Sequence, residues 1–222
     1  MERPTTVYLN DQEWLTVQTT PVALREWAVG YLFGEGVIDR PDDLTRLVVD
    51  EDHGLIWADL AHPPEAPPAP LLEPRLQPVS QSLTVPAGTL LRWMQEMLAA
   101  APLYQETGGM HVAMAVRADT GAQIIREDIG RHNAVDKVLG QALLDGWPAA
   151  ESVVLTSGRI SYEMCFRLAR FGVGIGVSRT AATDQAYDLA VRLGIELVGY
   201  ARTEASLTVY TEGKRVPRRI PA

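Results

Sequence analysis

The sequence predicts an α/β protein: a mixed-sheet domain with helices on both faces, preceded by a small N-terminal α+β domain. Three observations carry this. From residue 87 onward, amphipathic helical stretches alternate with short apolar strands, the pattern of a sheet covered on both sides. Before residue 61, two pairs of β-prone runs flank a single helical stretch. Between them lies "AHPPEAPPAPLLEPRLQP", with seven prolines in 18 residues. Proline removes an N–H donor and blocks the α region before it, so this stretch is neither helix nor central strand. The boundaries drawn are 1–60 for the small domain, 61–85 for a proline-rich linker and 86–222 for the larger domain.

In chain order, "TTVYLN" and "WLTVQTT" read as a hairpin around Asn10-Asp11. "VALREWAVGYLF" suits a helix through Leu24, Trp27, Ala28, Tyr31 and Leu32, stopped near Gly34 and Gly36. "LTRLVVD" and "GLIWADL" form a second hairpin around "EDHG". After the linker, "AGTLLRWMQEMLAA" is a helix, and "MHVAMAV" and "AQIIRE" are strands joined by "RADTG". "NAVDKVLGQALLD" is a helix with Val135, Val138, Leu139, Ala142 and Leu143 on one face, Asn133 as its N-cap and Asp136 in its first turn. "SVVLTS", "VGIGVS", "IELVGY" and "SLTVYT" are strands, and "SYEMCFRLARF" and "DQAYDLAVRL" are the helices among them. The order α-β-β-α-β-α-β-α-β-β, an antiparallel pair followed by βα crossovers, is that of the cytidine-deaminase-like fold.

Composition narrows the function. The net charge of −8 argues against nucleic acid or an anionic membrane as a general partner. No long uncharged apolar run is present, and the N-terminus lacks a signal-peptide core, so a cytoplasmic location is expected. The single cysteine, Cys165, excludes an internal disulfide and a multi-cysteine zinc site. Zinc deaminase chemistry is not expected: His111 is followed by Val112 and Ala113, and no cysteine pair exists.

Four polar clusters fall at strand ends or strand-to-helix turns: "TGGMH" (107–111), "EDIGRHN" (127–133), "TSGR" (156–159) and "SRTAAT" (178–183). Ligands of open α/β sheets bind beyond the carboxyl ends of strands, and helix N-termini attract anions. Arg131, His132 and Arg159 would bring charge to phosphates. Asp128 or Glu127 could accept the N1–H and N2–H pair of a guanine. A phosphorylated nucleotide is therefore a coherent ligand. Plainer readings exist for Gly108-Gly109 as a turn, for His111 as a packed residue, for Ser157 as a helix cap and for Cys165 as a buried inert thiol. The charge density of "EDIGRHN" exceeds what capping needs.

At these residues the sequence resembles the FdhD/NarQ family of formate dehydrogenase accessory and sulfur carrier proteins. The resemblance rests on "TGGMH", "EDIGRHNAVDKVLG", "SGRISYEM" and "ELVGYAR", in that order, and on "TPVALREWAVGYLFGEGVI" near the N-terminus. It implies a cytoplasmic homodimer with a deaminase-like fold. Its activity would be to take persulfide sulfur from a cysteine desulfurase and pass it to the Mo-bis(molybdopterin guanine dinucleotide) cofactor of formate dehydrogenase. GDP-like nucleotides are expected to bind. The implied cofactor-binding set is Thr107, Gly108, Gly109, His111, Glu127, Asp128, Arg131, His132, Asn133, Ser157, Gly158, Arg159, Ser206, Leu207, Thr208, Val209 and Tyr210, with no metal ligand. The family's C-x-x-C pair is absent from 61–85, where it would stand, so the catalytic residue stays unassigned. Cys165 sits in an apolar helix and is a poor substitute. The alternatives are a small-molecule enzyme using His132 or His111 with Asp128 as a general-base pair, and a non-catalytic adaptor of formate dehydrogenase.

Overall fold

The computed structural model describes residues 2–62, 76–80, 83–211 and 215–217. Strands β1 (Arg3–Leu9) and β2 (Gln12–Thr19) pair antiparallel. They turn through Asn10 and Asp11, both left-handed at φ 49° and 61°. Two consecutive residues of positive φ give the turn whose twist matches a hairpin, and Asn and Asp tolerate that region best among non-glycine residues. Strands β3 (Leu44–Asp50) and β4 (Leu55–Leu60) form the second hairpin. The four strands make one sheet in the order β2-β1-β4-β3, with β1 parallel to β4. Helix α1 (Leu24–Gly34) links the two hairpins.

The larger sheet has six strands in the order β10-β9-β8-β7-β5-β6. They are β5 (His111–Arg117), β6 (Gln123–Asp128), β7 (Ser152–Thr156), β8 (Ile175–Ser178), β9 (Glu196–Gly199) and β10 (Thr208–Val209). Strands β7, β8 and β9 run parallel, and the other pairings are antiparallel. The mixed, doubly covered sheet is the one expected from element order. Side chains of β5 alternate between two cores, as the strand period of two requires. Val112, Met114 and Val116 pack with Leu90, Met94 and Met97 of helix α2 (Ala87–Ala99). Ala113 and Ala115 face the other way, towards Val135 and Leu139 of helix α4 (Arg131–Leu144). Helices α5 (Tyr162–Phe171) and α6 (Asp184–Leu193) cover the same face as α4.

Helix α4 is not the one-sided amphipathic helix read from the sequence. Ala134, Val135, Asp136, Lys137, Val138, Leu139, Gly140 and Ala142 are all buried. The reason is α1, which lies across its outer side. The crossing is so close that a methyl on Gly30 would stand 1.9 Å from the Asp136 carbonyl oxygen. One on Gly140 would stand 1.8 Å from that of Glu26. Only residues without a Cβ allow this approach. Asn133 is also not the N-cap. The helix begins at Arg131 after Gly130, with no side-chain cap, and Asn133 sits inside the first turn.

Helix α3 (Pro102–Thr107) was not anticipated; Gly108, at φ 62°, closes it. The expected proline-rich linker falls partly on 63–75 and 81–82, outside the described residues. Among the rest of it, Leu76 belongs to the core, the Val79 N–H donates to the Leu193 carbonyl at 2.7 Å, and that of Val85 to Arg215 at 2.7 Å. These residues are pinned to the larger domain rather than free of it.

Candidate functional site

The register brings the expected clusters to one edge of the larger sheet. His111 pairs with Asp128, Ala113 with Thr156, and Thr156 with Ser178. The segments 107–111, 127–133, 156–159 and 178–183 therefore leave the sheet side by side, at the carboxyl ends of the parallel strands, where helices α4, α5 and α6 begin. Thr183 caps α6 by accepting the Ala186 N–H at 3.3 Å. The starts of α4 and α5 have no side-chain cap, and a helix start is a place where an anion is favoured.

Within "EDIGRHN" the side chains divide by direction. Asp128 is fully buried, and both its oxygens are saturated. Oδ2 accepts the Thr20 N–H at 3.0 Å and the Lys137 ammonium at 2.7 Å. Oδ1 accepts Gly130 N–H and Asn133 Nδ2, both at 2.9 Å. Asn133 also donates to the Gln18 carbonyl at 2.9 Å and accepts from Trp27 Nε1 at 3.2 Å. Lys137, entirely enclosed, reaches the carbonyl of Thr20 at 2.9 Å. Burial pulls its pKa down, and Asp128 beside it opposes that pull. Glu127 points to the other face of β6 and accepts the N–H groups of Leu103 and Tyr104 at the start of α3, at 3.3 and 2.6 Å. Neither carboxylate is free to grip a guanine edge, because four donors already occupy one and a helix start occupies the other. Asp128 is likewise no partner for an imidazole, which removes the His–Asp base pair.

Arg131 and His132 are half-buried at this edge. Gly158 packs between the Arg131 side chain and His111: a methyl there would meet Arg131 Cβ at 2.9 Å and His111 Nδ1 at 3.3 Å. Arg131 forms no ion pair among the described residues, and its buried Nε has no hydrogen-bond partner. A buried cationic donor without an acceptor is costly unless a ligand supplies one. Ser157 Oγ accepts the Val112 N–H at 3.0 Å and lies 3.4 Å from His111 Nδ1. Burial, then Arg131, lower the His111 pKa, against Asp128. Burial, followed by Arg131 and Arg167, pushes the His132 pKa down to about 4, opposed by Glu163. His132 is thus neutral at pH 7 and adds no charge to an anion, contrary to its expected role. Its Nε2 lies 3.2 Å from Ser161 Oγ and 3.1 Å from a Glu163 oxygen, tying the starts of α4 and α5 together. The carboxylate at that nitrogen assigns the Nε2–H tautomer.

Arg159 is exposed just past β7. Two further arginines share this edge, within "SRTAAT" and "ELVGYAR" but not singled out there: Arg179 past β8 and Arg202 past β9, the latter donating Nε to the Arg179 carbonyl at 3.1 Å. Their signal was positional, since each stands within three residues of a parallel strand's end. Thr107 and Gly109 complete the α3 turn, Thr107 Oγ1 donating to Leu103 at 2.7 Å and accepting from Gly109 N–H at 3.2 Å. Of 206–210, Ser206 reaches the edge through its bond to the Tyr200 carbonyl at 2.8 Å. Thr208 pairs with Gly199 as the outermost strand of the sheet. Leu207 and Val209 pack in the α2 core, and Tyr210 lies across Gly199. Among the described residues no three His, Cys, Asp or Glu side chains converge as metal ligands, and no helix is long and apolar enough to cross a membrane.

The lone cysteine lies apart from this edge's open groups. Cys165 is fully enclosed in the α5 core, and burial pushes its pKa up to about 12.

Comparison with known proteins places the chain in one family. The FdhD/NarQ family model matches residues 1–71 and 69–217. The chain is 34% identical to the sulfur carrier protein FdhD of Bacillus pumilus (strain SAFR-032), over 97% of this chain and 88% of that protein. It is 33% identical to that of Bacillus subtilis (strain 168), with the same coverage. Among solved structures it resembles a crystal structure of a formate dehydrogenase accessory protein from Desulfotalea psychrophila. The TM-score is 0.83 and the identity 31%, over 98% of this chain and 90% of that one.

Proposed function

The chain belongs to the FdhD/NarQ family, and from that premise we propose that it is a formate dehydrogenase accessory protein that holds a guanine-dinucleotide molybdenum cofactor. The observation that carries the reading is Arg131. Its Nε is buried without an acceptor, beside two uncapped helix starts and the side-chain-free Gly158. A diphosphate supplies what this arrangement lacks: oxygens for the guanidinium and for the N–H groups at the start of α4, in a geometry that a fork of donors fits. Arg159, Arg179 and Arg202 widen the cationic rim in a chain whose net charge is −8, so the attraction is local to this edge.

The cargo is Mo-bis(molybdopterin guanine dinucleotide), destined for formate dehydrogenase as the partner. Sulfur transfer needs a thiolate to receive the persulfide. This sequence has one cysteine, and it is buried with a raised pKa. The chain therefore acts as a holder of the cofactor and does not itself relay sulfur from a cysteine desulfurase. It works in the cytoplasm as a homodimer.

Calorimetric titration with GDP and with inorganic pyrophosphate tests the grip. Both should bind the unaltered chain, and Arg131→Ala should weaken both about tenfold to a hundredfold, the usual worth of a charge-assisted contact. Arg92→Ala on α2, across the sheet, should change neither. Absence of GDP binding to the unaltered chain, or equal losses in both variants, would refute the reading.

A further inference from the structure

The charge of this chain is concentrated at one end. Residues 1–60 hold 12 of the 28 Asp and Glu residues but only 4 of the 20 Lys and Arg residues. The whole net charge of −8 therefore lies in the small domain, and the rest of the chain is neutral. Most of the excess sits on the small sheet: its two hairpins, 2–19 and 44–60, carry seven acids against Arg3 and Arg46. On and just after α1, Glu26 and Glu35 meet Arg126 and Arg167 of the larger domain. On the hairpins, Glu13, Glu51 and Asp52 are exposed.

The same sheet has an apolar face that belongs to no core. Alternation sends Val7 and Ile56 towards α1, where they pack with Leu24, Trp27 and Ala28. It sends Tyr8, Val48, Leu55 and Trp57 to the opposite side, and none of these joins a core cluster among the described residues. They are neighbours. Trp57 pairs with Tyr8 on one side and with Val48 on the other. The Tyr8 and Trp57 rings stack at 6.0 Å, and Val48 is 41% exposed. Thr6 and Thr16 spend their hydroxyls on each other at 2.8 Å, which leaves the middle of the face poor in open polar groups. Around it, Glu13 stands across from Tyr8, Asp59 across from Arg46 and Asp50 across from Leu55. An aromatic centre inside a charged rim is the anatomy of a protein interface.

We infer that this face docks apo-formate dehydrogenase, through a patch on that protein with an apolar centre and a basic rim. The inference rests on the accessory role proposed above and gives that role a surface. Charge decides between occupants. A second copy meeting this one through the same face would set acids against acids, whereas a basic partner is drawn in and oriented. Size agrees. Four strands of about seven residues span about 20 by 20 Å, so docking buries on the order of 1,000 Å² over both partners, the range of transient encounters. Delivery of a cargo requires such a partner to leave again. Position agrees as well. The Gln18 carbonyl accepts Asn133 Nδ2 at 2.9 Å and the Thr20 N–H meets Asp128 at 3.0 Å, so the end of β2 abuts the start of α4. A partner seated on the sheet stands beside the cargo grip.

Surface plasmon resonance of the immobilised full chain with purified apo-formate dehydrogenase tests the docking. The parent should bind, and association should slow about tenfold between about 0.05 and 0.3 M salt. Glu13→Lys combined with Asp52→Lys should slow association about tenfold and leave dissociation alone, since rim charges steer. Trp57→Ala should speed dissociation about tenfold, since a central aromatic anchors. Both variants should unfold cooperatively and bind GDP as the parent does, because neither touches the cargo edge. The surface is refuted if the parent does not bind apo-formate dehydrogenase, if salt leaves association unchanged, or if both variants bind as the parent does. It is refuted too if Trp57→Ala lowers the oligomer mass in sedimentation equilibrium, which would make the face a contact between copies. The GDP titration judges the cofactor-holding reading separately: lost docking with GDP binding intact removes the surface alone.

Discussion

The charges of 127–137 and those of the neighbouring strand ends belong to two different environments. Inside, Asp128 and Lys137 are 2.7 Å apart and sealed from solvent, and Asp136 meets Arg167 at 2.7 Å, which meets Glu35 at 2.6 Å. At the rim, Arg131, Arg159, Arg179 and Arg202 form no ion pair among the described residues. The inner charges reach the carbonyl and N–H of Thr20 and the C-terminus of α1, so they clamp the N-terminal elements onto α4. The outer ones are left with unused donors. A dense charged motif thus did two jobs, and the difference lies in partnering: a buried charge must be paired within the chain, whereas a binding charge must be left open.

The sharpest way to break this comparison is to remove one inner charge. Lys137→Ala leaves the Asp128 carboxylate buried without its counter-ion, and breaking such a pair costs about 3–5 kcal/mol. Denaturant unfolding should show a loss of that order, with Arg131→Ala shifting the midpoint far less. If both variants unfold alike, the inner and outer charges are not distinct classes. Lys137→Met, which fills the volume without charge, should not rescue while Asp128 remains.

Why these two classes were not separable in the sequence is a matter of tertiary context. The hairpin at Asn10-Asp11, the helix stops at Gly172 and Gly194 and the alternation of helices and strands along the larger domain were legible, because each depends on turn chemistry or local periodicity. The convergence of 107–111, 127–133 and 156–159 was also legible, because strand ends of a parallel sheet share an edge. What burial did to each side chain was not. Nothing local to "NAVDKVLG" says that α1 will cover the far side of α4; the glycines at 30 and 140 permit it, but they lie 110 residues apart in sequence. So Asp128 read as a ligand group when Lys137, nine residues on, already owned it. Arg179 and Arg202 lay inside "SRTAAT" and "ELVGYAR" but were not singled out, because loops after strands carry no period.

A milder test sharpens the comparison at the boundary between the two classes. His132 lies between the rim and the interior, with Arg131, Arg167, His111 and Glu163 about it. Its folded pKa, about 4, is below the ordinary 6.5. The unfolded chain therefore binds the proton first, and the stability His132 contributes is full above pH 6.5 and is lost as pH falls through about 4. Asp136, pushed up to about 6 by burial against the pull of Arg167, takes up its proton in an overlapping window and acts in the opposite sense. A titration of the imidazole resonances separates them: the His132 signal should stay neutral down to pH 5. Adding pyrophosphate should raise its pKa, since an anion near Arg131 favours the charged ring. A His132 that titrates near 6.5 without ligand would place it among the open groups after all.

The smallest effect is expected at Cys165, and it decides whether the interior of α5 takes any part in sulfur chemistry. The thiol is enclosed among the α5 and α4 core residues, and burial alone accounts for its raised pKa. At pH 7 a group with a pKa of about 12 is almost wholly protonated, so it is neither a nucleophile nor an acceptor of persulfide. Cys165→Ala removes one sulfur from a packed site, which costs about 1 kcal/mol by the usual scale for small core deletions. The variant should melt slightly below the parent and restore formate dehydrogenase activity fully in a strain lacking its own accessory protein. Thiol-specific alkylation of the folded parent should proceed no faster than unfolding exposes the group. Were Cys165→Ala to melt like the parent and yet fail to restore activity, the thiol would have a chemical role. The inner side of α5 would then belong with the open groups of the rim rather than with the clamp.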